Sequence, residues 1–109
     1  MTPEQRVEAF RKIVERSPDD PFARYSLAMG HRGAGQLDLA IQVFEELARR
    51  NPGYVPTYLM WGQALETGGR AADAAQVYDR GIAVAVEAGN DHAASELRQA
   101  RAALAAQEP

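Results

Sequence analysis

A displacement of 34 residues superimposes this chain on itself. It lays Pro18 on Pro52, Gly35 on Gly69, Ala40 on Ala74, Val43 on Val77 and Phe44 on Tyr78. In the opposite direction it puts Phe10 under Phe44 and Ile13 under Leu47, so an aromatic recurs at positions 10, 44 and 78. A period of this size marks an array in which each unit is too small to bury its own apolar face and leans on its neighbour.

The local signals inside each unit are helical. Asp20 followed by Pro21 suits a helix start, because the carboxylate accepts from free N–H groups and proline fits the first turn. Gly33 and Gly35 then end that helix. From about Leu37 the apolar residues Leu37, Ala40, Ile41, Phe44, Leu47 and Ala48 recur at spacings of three and four, until Asn51-Pro52-Gly53 stops the run. The second unit repeats this plan, with a helix opening near Pro56 and closing at Gly68-Gly69, and another from about Ala71 to Glu87. Thr2-Pro3-Glu4-Gln5 reads as a capping box for a helix through Glu15. Asn90 or Asp91 opens a last helix with Leu97, Ala100 and Leu104 on one face. The expectation is an all-α chain forming one domain over 1–109, divided into a half-repeat helix at 2–17, repeats at 19–52 and 53–88, and a capping helix at 90–107.

Composition narrows the function classes. Twelve basic and fifteen acidic residues leave a net charge of -3, without the positive field that nucleic acid or anionic lipid requires. The chain has no cysteine, which removes disulfides, thiolate nucleophiles and cysteine-based metal sites. No stretch has the apolar length of a spanning helix, and the charged start MTPEQRVEAFRK is unlike a secretory signal, so a cytoplasmic location is expected. Abundant Ala and Arg, with Lys12 as the one lysine, suggest a GC-rich bacterial source.

The segments PFARYSLAMGHRGAGQLDLAIQVFEELARRNP and VPTYLMWGQALETGGRAADAAQVYDRGIAVAV resemble the tetratricopeptide repeat, a helix–turn–helix unit of this length. Arg24 and His31 stand where that family usually has aromatics, and Val86 where its closing proline belongs. The resemblance implies antiparallel helix pairs stacked in a short right-handed superhelix. Ala28 and Gly62 would face Ala40 and Ala74 across each pair, leaving room for Phe44 and Tyr78. It further implies a concave wall lined by the first helices, with Phe22, Tyr25, Ser26, Met29 and Arg32 on one and Leu59, Met60, Gln63 and Glu66 on the other. Tyr25, Met29, Leu59 and Met60 form a candidate apolar strip for a peptide or helix of a partner protein. The competing account makes these residues ordinary core. The Lys and Asn side chains with which some members clamp a C-terminal carboxylate are replaced here by Tyr25, Met29 and Met60.

Enzymatic readings fare poorly. Gly30 to Gly35 has the outer glycines of a phosphate loop, but Gln36-Leu37 follows where Lys and a hydroxyl residue are needed, and a helix rather than a strand precedes it. His31 and His92 are far apart and lack neighbouring ligands. Asp19-Asp20 reads as capping, and Glu45-Glu46 as the wet face of a helix. The chain is therefore expected to be a non-catalytic interaction module without cofactor or metal, binding neither nucleic acid nor membrane. The alternative is a structural homodimer that buries the same apolar strip.

Overall fold

Six helices account for most of the residues that the computed structural model describes, 1–107: α1 (Pro3–Arg16), α2 (Pro21–Gly33), α3 (Leu37–Arg50), α4 (Pro56–Thr67), α5 (Ala71–Glu87) and α6 (Asp91–Ala106). The chain divides into two compact units, Met1–Asn51 with α1 to α3 and a second from Pro52 with α4 to α6. In the first, α2 packs against both α1 and α3; in the second, α5 packs against α4 and α6.

The starts of α1, α2 and α6 follow the capping chemistry, while those of α3, α4 and α5 have no side-chain cap. The Thr2 hydroxyl accepts from the Gln5 N–H at 3.1 Å while the Gln5 side chain accepts from the Thr2 N–H at 2.8 Å, a reciprocal box. Asp20 accepts from the Phe22 N–H at 3.0 Å and Asn90 from the Ala93 N–H at 3.0 Å. The helix ends use two devices. After α1 and α3 the chain meets Pro18 and Pro52, which cannot continue a helix. After α2, α4 and α5 it turns through Gly35, Gly69 and Gly89 at φ of 74°, 76° and 70°. There the N–H of Gln36, Arg70 and Asn90 reaches back to the carbonyl of His31, Leu65 and Ala85 at 2.9, 2.8 and 2.9 Å, closing a Schellman turn. Helix α5 belongs to this second group because Val86 replaces the closing proline, and it extends to 17 residues where α1 and α3 have 14.

Small residues set how closely the helices approach. Ala28, Ala40 and Phe44 are fully buried in the first unit, and Ala74 and Tyr78 in the second. At Gly62 a β-carbon would stand 2.2 Å from Cε1 of Tyr78, so α4 lies directly on that ring. At Gly81 it would stand 2.5 Å from Cβ of Tyr58. The aromatic at the repeated position thus fills the space that the small residues vacate.

The polar anchors of the first helices also follow the repeat. Arg24, only 7% exposed, donates from Nη1 to the Pro18 carbonyl at 2.6 Å. Thirty-four residues on, Tyr58 is wholly buried and its hydroxyl donates to the Pro52 carbonyl. Arginine in the first unit and tyrosine in the second are thus equivalent, each tying the start of its helix to the proline that ends the helix before it. Burial holds the Arg24 pKa below its ordinary value, helped by the nearby positive charge of Arg50, and burial raises that of Tyr58.

Candidate functional site

Helix α2 presents the first set of candidate residues. Asp20 caps the start of the helix, and Phe22 beside the cap is 63% exposed. One turn on, Tyr25 is half-buried with its ring edge-on to Phe44, centroids 6.4 Å apart at 64°. That contact fixes the ring from below while part of its surface stays open. Ser26, Met29 and Arg32 continue the face and are half-buried. The other side of α2, with Ala23, Leu27 and Ala28, is buried.

Helix α4 carries the second set. Leu59, Met60, Gln63 and Glu66 are half-buried, while Thr57, Tyr58, Trp61, Gly62, Ala64 and Leu65 are buried. The Glu66 carboxylate accepts a hydrogen bond from the Tyr78 hydroxyl, so it also anchors the aromatic of the repeat. Spacings of three and four place the members of each set on one face of their own helix. The five residues of α2 belong to the first compact unit and the four of α4 to the second.

A contact that sequence reasoning missed involves two buried aromatics of α4. The Arg80 guanidinium lies 5.7 Å from the ring centre of Tyr58 and 5.5 Å from that of Trp61, within cation–π range. In the first unit Glu46 holds the matching position, and its charge favours the ionised form of Arg24. Each unit therefore pairs the anchor on its first helix with a complementary group on its second: cation with carboxylate in one, aromatic with cation in the other. The 34-residue displacement of 24 onto 58 and 46 onto 80 was the signal that could have found this.

The groups considered for catalysis are engaged otherwise. His31 is half-buried, with Nδ1 2.8 Å from Oε1 of Gln36 across the α2–α3 turn. His92 lies open, its Nε2 3.2 Å from Glu96 on the next turn. Glu46 accepts from Arg49 at 3.0 Å and Arg50 at 2.6 Å. Those two bonds hold its carboxyl down at about 2. Among the described residues no group of three or more His, Cys, Asp or Glu could hold a metal ion, and no helix is long and apolar enough to cross a membrane.

These paired helices with small residues at their crossings define a helical-repeat protein. The family model of the tetratricopeptide repeat matches residues 3–55 and 25–93, and the chain belongs to that family. A TPR repeat-containing protein of Pseudomonas aeruginosa is 25% identical over 91 residues, covering 84% of this chain and 87% of that one. The solution structure of a tetratricopeptide repeat domain protein from Salinibacter ruber is 39% identical with a TM-score of 0.81, covering 84% of this chain and 93% of the other. PcrH, solved in complex with the chaperone binding region of PopD, shares the fold at 13% identity and a TM-score of 0.88, covering 98% of this chain and 81% of its own.

Proposed function

We propose that this chain is a non-catalytic protein-interaction module that takes a peptide or helix of a partner protein along its first helices, α2 and α4. The observation that carries the reading is the open apolar surface of α2. Phe22 is 63% exposed although its helix has a fully formed buried side, and Tyr25 and Met29 beside it are only half-covered. Leu59 and Met60 are half-covered on α4 in the same way. Aromatic and Met side chains of this kind give a surface that adapts to the apolar face of a bound segment. A relative in fold supports the reading, since PcrH was solved with the chaperone binding region of PopD.

Because the positions of a carboxylate clamp carry Tyr25, Met29 and Met60, apolar contact dominates binding here, and the terminal carboxylate of a ligand is not its main handle. The test is capture of partners from a lysate by the wild type and by a variant combining Tyr25→Ala, Met29→Glu and Leu59→Glu, checked for helicity by circular dichroism. A protein retained by the wild type and lost by the folded variant supports the reading, and a peptide scan of that protein then locates the bound segment. Identical capture by both moves the site elsewhere. If the wild type captures only itself and light scattering gives twice the monomer mass, the apolar surface is a homodimer interface.

A further inference from the structure

The close-approach positions of the repeat carry a second message at α1 and α6. Helix α1 aligns with α3 and α5 at the 34-residue displacement, so Arg6 stands where α3 has Ala40 and α5 has Ala74. Helix α6 aligns with α4 at a displacement of 36. Ala94 and Leu97 are buried as Tyr58 and Trp61 are, and Ala93 and Ala100 are half-buried opposite the buried Thr57 and Ala64. Arg98 then stands where α4 has Gly62 and α2 has Ala28. Both arginines are exposed, and the small residues they replace are buried.

The shape of α1 and α6 invites association of copies. By its alignment α1 corresponds to the second helix of a pair, and among the described residues it packs on α2 alone; α6 corresponds to the first helix of a pair and packs on α5 and α4. The α6 of one copy seated on the α1 of another would complete a pair. Because that contact joins two different surfaces, each copy seated would leave one of each for the next, and association would pass beyond a dimer. Part of the α1 surface is apolar and open, with Ile13 42% exposed, and α1 has no buried residue.

We infer that Arg6 and Arg98 close these two faces to further copies of this chain. Seating α6 on α1 as α4 sits on α5 would bring Arg98 against Phe10 and Arg6, as Gly62 meets Tyr78 beside Ala74. At Gly62 a single β-carbon would already lie 2.2 Å from the ring. A whole arginine side chain has no room in such a crossing. Two guanidinium groups buried side by side would add the cost of desolvating like charges. The block is both steric and electrostatic, and it acts through residues other than those of the proposed partner site.

The test is light scattering coupled to size exclusion over a concentration series. Arg6→Ala with Arg98→Ala recreates the Ala28, Ala40, Phe44 set of the first unit around Phe10, and alanine favours helix at both positions. The wild type and each single variant are expected to elute at the monomer mass throughout, while the double variant rises with concentration to twice that mass and beyond. Arg6→Lys with Arg98→Lys is expected to stay monomeric, since bulk and charge are retained. A double variant that is helical by circular dichroism yet monomeric at the highest concentration overturns the inference. So does a wild type that grows in mass and loses that growth when Ile13→Glu is introduced on the α1 face.

Discussion

At Gly62 the fold leaves no space for one carbon atom. A β-carbon there would lie 2.2 Å from Cε1 of Tyr78 and 2.7 Å from two more ring atoms, and Tyr78 is itself fully buried and tied to Glu66. The ring cannot swing aside without losing that bond and its packing, so Gly62→Ala should cost about 1–3 kcal/mol, the range for overpacked cores. Ala74→Leu, on the facing helix, belongs in the same range. Thermal or urea melts check both, and a variant that melts with the wild type would mean that the crossing is looser than its geometry. Glu46 gives a different single-residue prediction. Its folded pKa of about 2 lies below the ordinary carboxylate value of 4.5, so folding favours the ionised form. The contribution is whole above pH 4.5 and fades as the pH falls to about 2. Glu46→Gln should therefore be less stable than wild type at pH 7, with the gap closing through that window and narrowing in high salt. A gap that stays constant down to pH 2 would assign the effect to packing instead.

Among the elements, the glycine-closed helices show how a local signal acquires an energy. Gly35 and Gly69 have φ of 74° and 76° and no atom within 4 Å of where a β-carbon would be, so substitution strains the backbone and touches nothing else. Gly53 has the same open space without the left-handed backbone. Gly35→Ala and Gly69→Ala should each cost about 1–2 kcal/mol, the penalty of a side chain in the left-handed region, while Gly53→Ala should be near neutral. Equal losses at all three in denaturant melts would remove the Schellman turn as the cause. The same helices show what is legible in a sequence. Periodicity and capping residues place the starts at Pro21 and near Leu37, Pro56 and Ala71, and the structure begins α2 to α5 at those residues. The displacement of α6 by 36 was not legible, because it follows from the loss of a proline at Val86 and the longer α5 that results. The anchors Arg24 and Tyr58 were also missed as a pair. A charged side chain is a poor candidate for burial on type alone, and its partner is a backbone carbonyl that no residue pattern announces.

On the scale of the molecule, the repeat implies that stability is unevenly shared, since among the described residues each helix packs on only one or two others. Helix α5 buries Ala74, Ala75, Val77, Tyr78, Gly81 and Ala85, whereas α1 has no buried residue and carries Ile13 in the open. Opening α1 exposes little new apolar surface, while opening α5 uncovers the centre of its unit. Amide exchange tracks the free energy of such openings. The central amides of α1 should exchange fastest among the helices and those of α5 slowest, with α3, which buries Phe44 and Leu47, also well protected. The candidate site should respond differently, because α2 and α4 each have one buried side and one partly open side. A bound partner segment should slow exchange in α2 and α4 and leave α1 fast. Strong protection of α1 in the free protein, rising with concentration, would instead show that a second copy covers its open face. That outcome would count against Arg6 and Arg98 as the residues that keep copies apart, while leaving the case for a partner site on α2 and α4 to be decided by its own variants.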